Sequence, residues 1–288
     1  MKHILFLLIS FFALFKSIAQ DNQSIYLIVR GDDMGSSHSS NLACIQSYKY
    51  GIMRSVELMV PCPWYPEAIN MLKENPGLDV GIHLVLTSEW NNYKWRPLTL
   101  CPSLVDPDGY FFPMIWQRDD FPKGTALHDA PWKIEEIEKE LRTQIERAKM
   151  NIPRASHADC HMGCTSCSPL IEALVKKLVK EYNLNIDPGD YGVQYMALWD
   201  KNDTTASQRI KITIDKLNHL KPGKYLFIDH PGLDTPEMRA IWHTGYYNVA
   251  ADRDAVTRVF TSPEVMTVIK QRNIRLISYA DLKKLNLK

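Results

Sequence analysis

From residue 25 to residue 277 the chain alternates two patterns. Short apolar runs at residues 25–29, 55–60, 79–85, 155–158, 225–228 and 274–277 read as buried strands. Between them lie longer segments whose apolar positions recur every three or four residues, the period of a helix with one buried face. Such segments cover residues 39–50, closed by Gly51, and 63–75, ended by Pro76-Gly77. Ile134, Ile137, Leu141 and Ile145 mark another over 133–150, and Pro169 opens one that runs to Val179. Residues 205–217, 252–260 and 262–271 complete the set. Residues 183–203 fit neither pattern cleanly. Strands separated by helices pair in parallel, because a parallel connection needs a crossover of this length. The expected class is α/β, with about seven strands in a distorted, closed or nearly closed (β/α) barrel of the TIM-barrel type.

The alternation stops between Thr87 and Pro131, where Trp90, Tyr93, Trp95, Tyr110 and Trp116 sit among several prolines. A connection this long inside a domain is either functional or disordered, and its aromatic content argues for order. It is expected to form a rim over the site. Trp90, Tyr93 and Trp95 would make a sugar-stacking platform there, or a small satellite core.

Composition narrows the picture. The chain has 288 residues, 45% hydrophobic and 23% charged, as expected of a globular protein rather than a disordered or fibrous one. Neither an internal repeat nor a Pro/Gly/Ser-rich linker divides it. Lys2 and His3 precede an apolar run over residues 4–15, and Ser17-Ile18-Ala19 supplies small residues before Gln20. That is the layout of a secretory signal peptide over residues 1–19, too short to span a bilayer comfortably. Residues 20–288 are then expected as one catalytic domain, secreted or periplasmic. Cleavage would remove Lys2 and Lys16 from the 34 basic residues, leaving them one short of the 33 acidic ones. A near-neutral protein has no electrostatic reason to seek nucleic acid. Export would also let disulfides persist among Cys44, Cys62, Cys101, Cys160, Cys164 and Cys167. Cys164 and Cys167 are spaced for a local disulfide, for two free thiols or for half a metal site.

The candidate chemistry lies where strands end. Asp32 and Asp33 follow the first apolar run, His83 lies in the third, His157 lies in the fourth, and Asp159 and His161 follow it. Asp229 and His230 precede Pro231-Gly232. Side by side, these strand ends would bring all of them to one mouth. Two imidazoles and a carboxylate suit a divalent zinc-like ion with an open position for water. An unligated carboxylate could then take the proton of that water, and a further imidazole could protonate the leaving group.

Four segments also resemble a known family. Arg30-Gly31-Asp32-Asp33-Met34-Gly35, Gly81-Ile82-His83-Leu84-Val85-Leu86-Thr87, Ser156-His157-Ala158-Asp159-Cys160-His161 and His230-Pro231-Gly232 are similar, in order and rough spacing, to the motifs of YdjC-type carbohydrate deacetylases. The resemblance covers about residues 25–280. It implies a (β/α) barrel related to polysaccharide deacetylases, one divalent metal ion, zinc or magnesium, and hydrolysis of acetyl groups from acetylated amino sugars or oligosaccharides. Position by position it implies Asp33, His83 and His161 as metal ligands, Asp32 as general base and His230 as general acid. Two departures stand out: the family usually has Asn at Arg30, and further histidines at Met162-Gly163-Cys164.

The residues also admit plainer readings. Asp32 and Asp33 could cap the following helix, and His83 could be a core histidine. His157, Asp159 and His161 would share one face of a strand, so Asp159 could support a ligand rather than be one. His38, His128, His219 and His243 lie outside every motif and are expected on the surface or in loops. The rival functions are a non-catalytic exported carbohydrate-binding barrel and a metal-dependent hydrolase of another ester.

Overall fold

The structure, a computed structural model, describes residues 23–200 and 204–285. The expected leader over residues 1–19 lies outside them. Strand β1, Ile25–Met34, is buried along its whole length and organises the sheet. Its residues alternate between two apolar environments. Ile25, Leu27 and Val29 pack against the surrounding helices, while Tyr26 and Ile28 face the barrel interior with Leu226, Ile277, Tyr279 and Leu282. Each fully buried aliphatic side chain contributes about 1.5–3 kcal/mol. Continued by twos, the inward series from Tyr26 and Ile28 reaches Arg30 and Asp32. The site thus grows out of the core's own alternation.

Along the chain β1 is followed by α1 (His38–Lys49), β2 (Ser55–Met59), α2 (Tyr65–Glu74), β3 (Asp79–Leu84), α3 (Ile134–Asn151), β4 (His157–Cys160) and α4 (Pro169–Glu181). Then come β5 (Val193–Tyr195), α5 (Ala206–His219), β6 (Gly223–Asp229), α6 (Pro236–Arg239), α7 (Val249–Phe260), α8 (Pro263–Gln271), β7 (Ile274–Ile277) and α9 (Tyr279–Leu285). All pairings between these strands are parallel. The order is β4-β3-β2-β1-β6-β5, with β7 beside the first half of β1 and β2 beside its second half. The α/β barrel expectation is met, with one refinement: β4 and β5 do not pair, so the curled sheet keeps an open seam. The ambiguous stretch supplies the short seventh strand, β5. β4 begins two residues later than the apolar run suggested.

One plainer reading is corrected by the structure and one expectation is met. Ser37, not either aspartate, caps α1 by accepting from the Ser40 amide. The connection over 87–131 is ordered, and α3 anchors it through a polar edge beside its apolar stripe. Glu136 accepts from the Ser103 amide and hydroxyl, Glu140 from the amides of Leu98 and Thr99, and Gln144 bonds both backbone groups of Val85. Glu140 and Gln144 are fully buried, although they would ordinarily be assigned to a solvent-facing edge. The backbone amides of Leu98, Thr99 and Ser103 are thus satisfied by helix side chains.

Candidate metal centre

β1 does not end as a regular strand. Its pairing with β2 shifts register between Gly31 and Met34, and Asp33 takes φ 67°, the left-handed region that costs a non-glycine residue about 1 kcal/mol or more. That twist aims two consecutive carboxylates at the same mouth, which an unbroken strand would send to opposite faces. Gly35, φ 98°, completes the turn, and a Cβ there would lie 2.8 Å from the Met59 carbonyl oxygen.

Asp33, His83 and His161 converge. One ligand-type atom from each lies within 4.8 Å of the others, and all three residues are buried. Asp33 Oδ1 stands 3.7 Å from His83 Nε2 and 3.4 Å from His161 Nδ1. It makes no hydrogen bond, an uncommon state for a buried carboxylate oxygen. An orphaned oxygen facing two imidazole nitrogens is a donor set that fits a divalent cation. His161 is not on the strand, as its spacing suggested, but opens the 3-10 turn His161–Cys167 just beyond β4.

The remaining motif residues surround this group. Asp32 is gripped by Arg30, with Nε to Oδ1 at 2.7 Å and Nη2 to Oδ2 at 2.9 Å. His83 Nε2 is 4.0 Å from Asp32 Oδ2. His230 Nε2 is 4.0 Å from Asp33 Oδ2, and its Nδ1 is 3.4 Å from Asp229 Oδ1. Asp159 faces Arg30 Nη1 at 2.7 Å and lies outside the three-residue group. His157 lies lower, its ring stacked on Tyr279 at 3.8 Å and its Nε2 2.6 Å from Glu57 Oε1. The Glu57 carboxylate occupies room left by Gly81, where a Cβ would stand 2.3 Å from Oε1. Neither His157 nor Asp159 therefore supplies the group; both support Arg30 and the barrel floor.

Charge in the pocket is steered by these partners. Burial opposes the ionised form of Asp33, but Arg253, His230 and His161 outweigh it and hold the carboxyl well below its usual range. Burial, aided by His161, lowers His83 despite the nearby aspartates, which favours the neutral imidazole that binds metals. Burial also disfavours charge on His161, yet Glu89 and Asp33 push it up to about 10. His230 is lowered by its surroundings and raised more strongly by Asp33 and Asp229, so it stays above its ordinary value.

Three residues in this environment were not found from the sequence. Glu89 Oε2 lies 3.1 Å from His161 Nε2, the imidazole edge turned away from Asp33. Arg253 donates from Nη2 to Asp33 Oδ2 at 2.7 Å, and Glu57 supports the floor. Arg253 did leave a signal: it interrupts the buried stripe Val249, Ala250, Val256, Phe260 of α7. Glu57 interrupts an otherwise apolar strand in the same way. Glu89, in a loop, left none.

Other expectations need correction. Trp90 and Trp95 are 4% and 2% exposed and belong to the main core, so they form no sugar platform. Tyr93 is tied to the Ser36 carbonyl. His243 lies in a loop, one of its two expected places, but is buried there and stacked on Trp90. The disulfide joins Cys160 to Cys164, while Cys167 is free.

The chain also has relatives among known proteins. The chain is 28% identical over 267 residues to Carbohydrate deacetylase 1 of Listeria innocua, covering 89% of this chain and 99% of that one. It is 29% identical over 272 residues to a carbohydrate deacetylase of Thermus thermophilus, covering 85% and 89%. A crystal structure from Enterococcus faecalis, named provisionally as a cellobiose-phosphate cleavage protein, shares the fold at TM-score 0.69 and 23% identity, over 90% of this chain and 99% of that one. Residues 26–271 match the family described as YdjC-like protein, and the chain belongs to that family.

Proposed function

We propose that this protein is a metal-dependent carbohydrate deacetylase that hydrolyses acetyl groups from acetylated amino sugars or oligosaccharides. The observation that carries the reading is the meeting of Asp33, His83 and His161 around an orphaned carboxylate oxygen, with Asp32 and His230 on either side. The names of the relatives support the substrate class.

Asp33 Oδ1, His83 Nε2 and His161 Nδ1 would hold the ion, zinc or magnesium, and two imidazoles suit zinc better than a cation that prefers oxygen. Bound there, a divalent cation supplies polarisation of the acetyl carbonyl and acidification of the attacking water. Asp32, fixed in orientation by Arg30, takes the proton from that water as general base. His230, whose affinity for a proton Asp33 and Asp229 raise against the cost of burial, gives a proton to the departing amine. Arg253 holds the second oxygen of Asp33 so that Oδ1 keeps its direction.

Residues 20–288 would form one catalytic domain of an exported protein, its leader being residues 1–19. The Cys160–Cys164 disulfide is in keeping with an oxidising compartment. N-terminal sequencing of the mature protein tests the leader, with Gln20 as the expected first residue.

The deciding experiment measures acetate release from N-acetylated chitooligosaccharides together with elemental analysis of the purified protein. Wild type should hold one divalent ion per chain and release acetate. Asp32→Asn should lose about 10²–10⁴-fold in kcat while keeping its metal. A metal-free wild type, or Asp32→Asn at full activity, would overturn the assignment.

A further inference from the structure

His161 stands one residue past the last paired position of the sheet, where Leu84 pairs with Cys160. Its backbone therefore lacks the ladder that fixes His83 in mid-strand. The chain then turns back through Met162 at φ 52° and Gly163 at φ 65°, two successive left-handed residues. The first of these is costly for a side chain other than glycine. Cys160 and Cys164, four positions apart, enclose this reversal in a disulfide with Cα atoms 5.3 Å apart. Both half-cystines are buried. The covalent ring thus contains His161 and both left-handed residues.

We propose that the Cys160–Cys164 disulfide is a positioning element of the metal centre, locking the backbone of His161 so that Nδ1 meets Asp33 and His83. The inference rests on His161 being a metal ligand, as argued above. Two independent fixings then act on one imidazole. Glu89 orients the ring from Nε2, and the disulfide holds the main chain that carries it. With the ring open, the turn at Met162 and Gly163 relaxes towards commoner dihedrals. Cation binding must then order this segment itself, which weakens apparent affinity in proportion to the fraction of competent protein.

The test compares zinc binding by the full mature protein, read by competition with a chromophoric chelator at 25 °C. The samples are the oxidised protein, phosphine-reduced protein, Cys160→Ser/Cys164→Ser and His161→Ala. In the reduction the phosphine gives two electrons to the S–S bond and takes the oxygen of one water. The two protons released go to the sulfurs of Cys160 and Cys164. Circular dichroism establishes that each metal-free sample is folded at the measuring temperature. Reduced protein and the double serine variant should bind zinc at least about 10-fold more weakly than oxidised protein, the factor expected for ordering about one residue. Reoxidation should restore the reduced sample. A disulfide serving stability alone would lower the melting temperature and leave the Kd at 25 °C unchanged, which would overturn the proposal. So would peptide mapping that finds Cys160 and Cys164 unlinked. If the double variant does not fold, the reduced and reoxidised wild type carry the comparison. Equal zinc binding by oxidised wild type and His161→Ala would instead refute His161 as a ligand, and both readings would fall together.

Discussion

Arg30 and Asp32, both projecting inward from β1, form a two-pronged ion pair in which guanidinium Nε and Nη2 each meet one carboxylate oxygen. The other end of the guanidinium reaches the Tyr279 hydroxyl at 2.9 Å and Asp159 at 2.7 Å. Burial works against the charge on Arg30, but Asp32, Glu57 and Asp159 keep it firmly protonated. A flat, fully charged fork of this kind fixes the plane of its partner, which a lysine ammonium does not do. Arg30→Lys should therefore lower kcat by about 10-fold or more and leave bound metal unchanged, checked by steady-state kinetics and elemental analysis. Loss of metal from this variant would mean that Arg30 supports the ion site rather than the base.

Glu89 accepts from the outer edge of His161. Glu89→Gln keeps the size of the side chain but removes its charge, so His161 would become a poorer donor to the proposed ion. Metal affinity should fall by about 10–100-fold, measured by chelator competition, with little change in the melting temperature of the metal-free protein.

In the metal-free protein His161 is raised to about 10. At pH 7 it is then protonated at both nitrogens, and ligation through Nδ1 must expel one proton while Nε2 keeps its bond to Glu89. Binding should release about one proton, and apparent affinity should rise about tenfold per pH unit from pH 6.5 to 8.5. Calorimetry in buffers of different ionisation enthalpy measures the number directly, and heats independent of buffer would contradict it.

In the proposed mechanism His230 protonates the leaving amine. His230→Asn should reduce kcat by about 10²–10⁴-fold on an N-acetylated sugar. On an acetate ester of an acidic phenol, whose leaving group needs no proton, the loss should be far smaller. Equal losses on both substrates would assign His230 to binding rather than proton transfer.

Glu140 holds the long connection by accepting from Leu98 and Thr99 amides and from the Thr99 hydroxyl. Glu140→Ala strands these donors, each at about 1–3 kcal/mol if it stays buried. The expected net loss is about 3 kcal/mol, a fall in Tm of roughly 6–12 °C by thermal denaturation.

The strands, helices and strand-end carboxylates and imidazoles were readable because they depend on local order. Period two and period three-to-four reflect neighbours along one element, and β1, α3 and the residue pair Asp32-Asp33 follow that rule. The partners of those residues do not. Arg253 meets Asp33 across 220 positions, and Glu89 meets His161 across 72. Those contacts exist only after helices dock and a loop folds over the mouth. The same holds for the burial of Trp90 and Trp95, the choice of Cys160 over Cys167 as partner of Cys164, and the open seam between β4 and β5. One chain's pattern states which face of an element is apolar. Which distant side chain occupies the space opposite is decided by the register and tilt of the assembled sheet, a property of all its strands at once.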